Sequence, residues 1–467
     1  MLQLFNTTTR VIEPFKPLRG KTARVYSCGP TVYDYAHIGN LRQYVFSDLL
    51  RRVLELNGYR VKQVINITDV GHLVADADIG EEKIELAARR AGKSAWEIAR
   101  FFESAFVADL RKLKIKRPRV LPRATDHLKE QIALVKILEK KGYTYRTSDG
   151  IYFDTAKFPA YGKLSGQSLK EREAGRRVEV SPEKRNPWDF ALWKFSPADR
   201  KREMEWPSPW GKGFPGWHIE CSAMSRQYLG QPFDIHTGGI DHLHPHHTNE
   251  IAQSEAAYGR PLARFWMHGE FLLVDNQRMG KSEGNLITLA EIERQGFDPL
   301  AYRYFVLGAH YRSPLNFTWA ALAAAQQALW NLQDMVRDWP RPWGRWWAFQ
   351  KKFLAAVNND LDTPAALAAL WELVKSNSPL RKKAGTILWF DRVLGLGLES
   401  LVGQSLKIPK EVARLAHLRE AAREQRDFSA ADSLRQQIES RGFLVEDTAE
   451  GPKIREDHSI TSINSKS

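Results

Sequence analysis

The chain has 467 residues, too many for one ordinary domain, so two to four are expected. Hydrophobic residues at 43% and charged ones at 27% describe a soluble globular protein, and no run of about eighteen apolar residues occurs to form a spanning helix. A formal net charge of +14 suits a polyanionic partner, because basic side chains release counterions from a phosphate backbone.

The first residues, MLQLFNTTTR, lack the long apolar stretch of a signal peptide, so a cytoplasmic chain is expected. Only two cysteines occur, Cys28 and Cys221, and in that compartment free thiols or metal ligands are expected before a disulfide.

Residues 24–28 read as a short strand ending at Gly29-Pro30. Leu41, Val45, Leu49, Val53 and Leu56 then repeat at helical spacing, and Asn57-Gly58 supplies a stop. Val61 to Ile67 is a second β-rich run. Strand, helix, strand at this spacing is a βαβ unit and predicts a parallel sheet. Open α/β sheets bind ligands at the carboxyl ends of their strands, so Cys28 and Thr68 are expected to share one crevice.

Between about 116 and 210 the pattern weakens, with scattered Pro and Gly, a basic run at Lys170–Arg177, and Trp188 and Trp193. This segment reads as an insertion interrupting the sheet. Phe233–His236 returns to strand character before a glycine turn at Gly238-Gly239, and a helix is expected over His246–Tyr258, stopped by Gly259. Beyond about 318 the chain turns helical, with Ala320–Val336 and Thr363–Lys375 as the clearest segments. Trp339, Trp343, Trp346 and Trp347 cluster beside prolines in a connecting segment, where packing is the expected role and stacking of exposed rings, beside Arg, on bases is the alternative. A last unit, roughly 407–455, has a charged helix, a capping-box-like start at Ser429-Ala-Ala-Asp432 and a stop at Gly442. The tail from Glu456 is polar, and disorder is expected there.

Three groups of residues carry chemistry. His37-Ile38-Gly39-Asn40 lies between a strand and a helix, where backbone N–H groups and the positive helix end favour phosphate. Gly39 allows close approach, and His37 and Asn40 can donate to phosphate oxygens. Four residues alone are an ordinary surface turn. Arg278-Met279-Gly280-Lys281-Ser282 is the second group, a glycine-flanked lysine loop able to close over a triphosphate. In this order the two resemble the signature pair of class I aminoacyl-tRNA synthetases. The third group is Cys28, Cys221, His246 and Glu250, two thiols, an imidazole and a carboxylate that make a plausible zinc set. His246 and Glu250 are four apart on an expected helix and share a face. Around them fall His236, His242, His244 and His247, which either support the ligands or contact an adenylate.

The motifs resemble the cysteinyl-tRNA synthetase family. The resemblance rests on Cys28-Gly-Pro-Thr-Val-Tyr-Asp34 leading into His37-Ile-Gly-Asn40, on Asn66-Ile-Thr-Asp69, and on Gly216-Trp-His-Ile-Glu-Cys-Ser-Ala-Met224. Asp234-Ile-His236, His246-His-Thr-Asn-Glu-Ile-Ala-Gln253, Asn359-Asp360 with Thr363-Pro364, and Phe428–Asp432 also fit, so the likeness runs from about residue 2 to 455.

That resemblance implies activation of L-cysteine with ATP and magnesium, then transfer to tRNA(Cys), by a monomer with no membrane partner. It implies zinc on Cys28, Cys221, His246 and Glu250. Thr68 and Trp217 would line the cysteine pocket together with Cys28, Cys221 and His246. His37, Gly39, Asn40, Met279 and Lys281 would bind the nucleotide, with His37, Asn40, Lys281 and Ser282 in the chemistry. The implied architecture is α/β: a Rossmann-like parallel-sheet catalytic domain over 1–115 and 211–275, with a connective insertion at 116–210. A stem-contact region at 276–318, a helical anticodon-binding domain at 319–400 and a small C-terminal domain at 407–455 would follow, then the tail 456–467. Arg278 and Gly280 replace the usual Lys and Ser of the second signature, Val70-Gly71-His72-Leu73 replaces a more acidic, lysine-bearing run, and Thr237 replaces a glycine. A ligase that transfers the same adenylate to an amino sugar is the alternative within this chemistry. A metal-dependent hydrolase and a non-enzymatic RNA-binding protein are the alternatives outside it.

Overall fold

The computed structural model describes residues 1–71, 83–166, 182–197, 202–280, 284–404, 406–448 and 451–456. The chain divides into two units, the first comprising Met1–Thr288, Ala309–Asn316 and Ala355–Thr363, the second the remainder.

In the first unit, β1 (Thr22–Ser27) and β2 (Arg60–Ile65) pair in parallel, Val25 opposite Gln63 and Ser27 opposite Ile65. Helix α1 (Ile38–Leu56) makes the crossover that parallel neighbours require, and it stops at Asn57 where expected. Side chains alternate across β1. Tyr26 joins the core built on Val64, Met224, Phe233 and Trp266, while the Ser27 hydroxyl faces the other way, 2.7 Å from that of Ser47 on α1.

Helix α2 (Trp217–Leu229) precedes β3 (Phe233–Gly239), and α3 (His246–Tyr258) links β3 to β4 (Ala263–Gly269). The strands lie in the order β4-β3-β1-β2, all parallel, and every residue of β3 is buried. Gly238 and Gly239 are not a turn. They continue β3 against His268 and Gly269 of β4. Glycine is needed at 238 for space, since a Cβ there would lie 2.7 Å from ring atoms of both His242 and His247.

More of α1 is buried than an apolar stripe requires, including Arg42, Asp48 and Arg52. Each charge has partners, as burial demands. Arg52 Nε lies 2.7 Å from Asp48 Oδ2, and Arg42 donates to the carbonyls of Glu270 at 2.8 Å and Ser313 at 2.6 Å.

The weakly patterned segment 116–210 contains a helix over Leu128–Lys140 and three strands of an antiparallel four-stranded sheet, whose fourth strand comes from just past 210. Its strands are Thr144–Arg146, Gly150–Phe153, Phe190–Phe195 and Gly213–Pro215, in that order. Trp193 is wholly buried in its core with Leu134, Phe153 and Ile219. The basic run Lys170–Arg177 and residues His72 and Leu73 lie outside the described residues.

The second unit is mostly helical, with α4 (Trp319–Arg337), α5 (Trp347–Asn358, its last turn counted with the first unit), α6 (Thr363–Lys375, from Pro364 on) and α7 (Leu380–Leu394). Phe353 stacks on Phe390 at 4.1 Å between ring centroids. Of the clustered tryptophans only Trp339 is buried; Trp343 and Trp347 stand out in solvent, contrary to the packing role expected of them. Helices α8 (Lys410–Glu424) and α9 (Phe428–Glu439) and a hairpin of Phe443–Thr448 with Gly451–Glu456 share a small core of Val412, Leu415, Ile438 and Val445. The start of α9 differs from the expected box at Ser429. Asp427 is the cap, its carboxylate accepting from Ala430 N at 3.0 Å, so the helix begins a residue before Ser429. The tail beyond Glu456 lies outside the described residues.

Candidate active site

Cys28 follows the last residue of β1, Cys221 lies in α2, and His246 and Glu250 stand one turn apart on α3. The structure brings all four together, with donor atoms within 4.8 Å of one another and every residue buried. His246 Nε2 is 3.2 Å and Cys28 Sγ 3.8 Å from Glu250 Oε1. The other nitrogen of His246 lies 2.9 Å from His218 Nδ1, which leaves Nε2 directed into the group.

The electrostatics are those of buried groups that act strongly on one another. Burial alone would raise the Glu250 carboxyl, yet His236 and His246 hold it down at about 2. Burial would lower His246, but the Cys221 thiolate and Glu250 raise it to about 10. The Cys28 thiol is pushed up by burial and by its neighbours Cys221 and Glu250. Protons therefore sit where a metal's positive charge would.

Histidines encircle this group. His236 Nε2 is 3.0 Å from Glu250 Oε2, and His247 Nε2 is 3.2 Å from Cys28 Sγ, so Cys28, His236, His247 and Glu250 form a second possible set. His247 passes its other nitrogen to His268 Nε2 at 2.8 Å, and His268 Nδ1 meets the Thr7 hydroxyl at 2.8 Å. Burial lowers His242 and His268 to about 3, which keeps them neutral. His244 lies at the edge, its ring 5.4 Å from that of Trp188. Sequence reasoning missed His218 and His268. His218 stands in the run Gly216–Met224 but had no role assigned there, and His268 belongs to no motif, so only the fold brings them in.

The crevice expected between the ends of β1 and β2 is present. Val32 N donates to the Thr68 carbonyl at 3.1 Å, and Gly29 N to Asn66 Oδ1 at 2.8 Å. A Cβ on Gly29 would fall 1.5 Å from the Asn66 carbonyl oxygen, so only glycine fits that approach. The Thr68 hydroxyl accepts from Asn66 Nδ2 at 3.1 Å and donates to Glu220 Oε2 at 2.8 Å. Trp217 opens α2 with its ring 4.5 Å from that of His246. Lys83, another residue that sequence reasoning missed, places its ammonium 6.0 Å from the Trp217 ring and 5.8 Å from that of Tyr33.

At the start of α1, His37 and Asn40 cap the helix reciprocally. Asn40 N donates to His37 Nδ1 and His37 N to Asn40 Oδ1, both at 3.3 Å. The second signature runs beside the first. Ile38 N donates to the Ile287 carbonyl at 2.8 Å, and a Cβ on Gly39 would lie 3.9 Å from the Met279 methyl. Asn285 braces that loop by accepting from Gly280 N and donating to the Arg278 carbonyl, each at 3.0 Å. Lys281 and Ser282 lie outside the described residues. A helix N-terminus, a basic loop and a buried thiol-rich group thus line the carboxyl edge of one parallel sheet, an arrangement able to hold a nucleotide and a small sulfur-bearing substrate.

Comparison with known proteins agrees with this geometry. The family described as tRNA synthetases class I (C) catalytic domain matches residues 14–327. A cysteine–tRNA ligase of Burkholderia lata is 53% identical over 455 residues, covering 97% of this chain and 96% of that one. One from Chlorobaculum tepidum is 43% identical over 479 residues, covering 96% and 98%. Among solved structures, the methionyl-tRNA synthetase of Mycobacterium tuberculosis in complex with methionyl-adenylate has a TM-score of 0.54 at 17% identity, covering 88% of this chain and 96% of that one, a likeness of fold. The chain belongs to the cysteinyl-tRNA synthetases, a family of class I aminoacyl-tRNA synthetases.

Proposed function

We propose that this chain activates L-cysteine with ATP and magnesium, then transfers it to tRNA(Cys), with the buried group Cys28, Cys221, His246 and Glu250 as a zinc site that selects the thiol. The observation that carries this reading is that group itself, two thiols, an imidazole and a carboxylate at the carboxyl edge of the sheet, a donor set suited to zinc. Bound there, zinc supplies a soft Lewis acid that prefers a thiolate to a hydroxyl.

In the first step a cysteine carboxylate oxygen attacks the α-phosphorus of ATP and pyrophosphate leaves. In the second, a hydroxyl of the terminal tRNA ribose attacks the carbonyl carbon and AMP leaves. The chain's work is positioning and charge stabilisation. Thr68 and Trp217 wall the amino-acid pocket. His37, Gly39 and Asn40 at the start of α1, with Met279, receive the nucleotide, and Lys281 with Ser282 neutralises charge that develops on the phosphates. The domain ranges above, from the catalytic halves 1–115 and 211–275 to the C-terminal 407–455, are part of this proposal, as is a monomer in the cytoplasm. No helix among the described residues is long and apolar enough to cross a membrane.

Two assays test it. Cysteine-dependent exchange of pyrophosphate into ATP reads the first step, and charging of tRNA(Cys) reads the second. Exchange without charging would favour transfer to another acceptor such as an amino sugar, and neither activity would overturn the reading.

A further inference from the structure

The segment between α4 and α5 exposes aromatic surface that the reaction above does not use. Trp343 is 71% and Trp347 74% exposed, more than any other large apolar side chain among the described residues except Met1. A tryptophan side chain gains much by burial, so two held in solvent within five residues of chain call for a partner.

They stand on a fixed support. Trp343 N donates to the Arg381 carbonyl at 3.2 Å, and Trp346 N to the Thr386 hydroxyl at 2.8 Å, so the strap is tied to α7 at two points. Gly344 takes φ +68, and a Cβ on Gly385 would lie 2.0 Å from the Gly344 carbonyl oxygen, so strap and helix touch backbone to backbone. Lys382 lies 4.9 Å over the Trp346 ring and holds the next indole down. The backbone that presents the two exposed rings is thus held in place before any partner arrives.

The charge around them has one sign. From Trp339 to Asn359 the chain carries Arg341, Arg345, Lys351 and Lys352 and no carboxylate. From Ser376 to Phe390 it carries Arg381, Lys382 and Lys383, again with none. Lys352 pairs with Glu372, whereas Arg341, Arg345 and Arg381 meet no described carboxylate. Exposed indoles interleaved with cations that meet no described carboxylate match a single-stranded nucleic acid, whose bases stack on aromatic faces while its phosphates meet the cations.

We propose that Trp343 and Trp347 form a stacking platform for unpaired bases of the tRNA, flanked by Arg341, Arg345 and Arg381 as phosphate contacts. The proposal rests on the reading that tRNA is the acceptor.

The test uses the full chain and a tRNA(Cys) transcript, with Trp343→Ala, Trp347→Ala, the matching Phe variants and Arg345→Gln. Each Ala variant should weaken tRNA binding about 5- to 100-fold, and each Phe variant should retain most of it. Arg345→Gln should lower the slope of log affinity against log salt by about 1. Cysteine-dependent pyrophosphate exchange, which needs no tRNA, should stay at the wild-type rate in every variant and so reports an intact fold. Wild-type affinity in both Ala variants would overturn the platform. So would an equal loss against a fully base-paired RNA, or loss of self-association with tRNA binding intact, which would mark a protein contact. If the wild-type chain exchanges pyrophosphate but charges no tRNA, the acceptor reading fails. The platform is then judged by binding alone, and survives only if an unpaired oligoribonucleotide binds wild type and not the Ala variants.

Discussion

Replacing Thr68 by Val keeps its shape and removes one hydroxyl from a buried chain of polar groups. That hydroxyl donates to Glu220 Oε2 at 2.8 Å and accepts from Asn66 Nδ2 at 3.1 Å, and all three residues are buried. In Thr68→Val both partners lose a hydrogen bond where water does not reach. An unsatisfied buried polar group costs about 1–3 kcal/mol, so the loss for the pair is about 1–5 kcal/mol after the added methyl is credited. Glu220, already pushed up to about 8 by burial against the restraint of Thr68 and His246, would be raised further. Asn66 would lose its anchor while its Oδ1 still holds Gly29 N at 2.8 Å and lies 3.6 Å from Cys221 Sγ. The variant should therefore unfold at lower urea with an unchanged denaturant slope, and its KM for cysteine should rise. Thr68→Ser keeps the hydroxyl and should lose only about 1 kcal/mol for the missing methyl. A Thr68→Val protein within about 0.5 kcal/mol of wild type would refute the argument that this chain of polar groups stabilises the site.

Lys281→Ala should slow adenylate formation far more than it weakens cysteine binding, since the role proposed for the ammonium is to meet charge that develops in the transition state; near-normal pyrophosphate exchange would remove Lys281 from the chemistry. Loading zinc into metal-free protein at pH 8 should release about two protons. The Cys28 thiol and the His246 imidazolium, at about 10, must each give one up, while Glu250, at about 2, has none to give. Affinity should then rise about 100-fold per pH unit near pH 8, and calorimetry in buffers of different ionisation enthalpy would count the protons; zinc uptake without release contradicts the ligand set. Glu250, lowered in the folded metal-free chain, contributes stability that is present above its ordinary pKa of 4.5 and lost as pH falls towards 2. Glu250→Gln should flatten the acid limb of a stability profile, and an unchanged limb would count against it.

How much of this was legible in the sequence depended on whether a feature was local. The β1-α1-β2 unit could be read because its apolar spacing and the Asn57-Gly58 stop lie within one stretch of chain. The bounds His246–Tyr258 and Thr363–Lys375 could be read for the same reason. The helical character beyond 318 was read, but α5 and α7 were not delimited within it: prolines precede both, and tryptophan and lysine clusters mask the periodicity at their starts. The antiparallel sheet of the insertion was hidden by strands of three to six residues whose two faces are both largely buried, so they do not alternate. Cys28 and Cys221 stood out by scarcity, and His246 with Glu250 by helical spacing. His218, His268 and Lys83 carried no such mark. Their place at the site is fixed by the register of β3 with β4 and by the first turns of two helices.

The central claim is that cysteine is recognised by its sulfur at the buried group. Serine differs by one atom, and small differences of shape are worth only about 1–3 kcal/mol, whereas a 10⁴-fold preference needs about 5.5 kcal/mol. The most direct measurement is the absorption spectrum of the cobalt-substituted chain titrated with cysteine and with serine. Cysteine should add thiolate-to-metal intensity to that of Cys28 and Cys221, and serine should add none. Activation of cysteine with no change in the metal spectrum would contradict recognition through the sulfur.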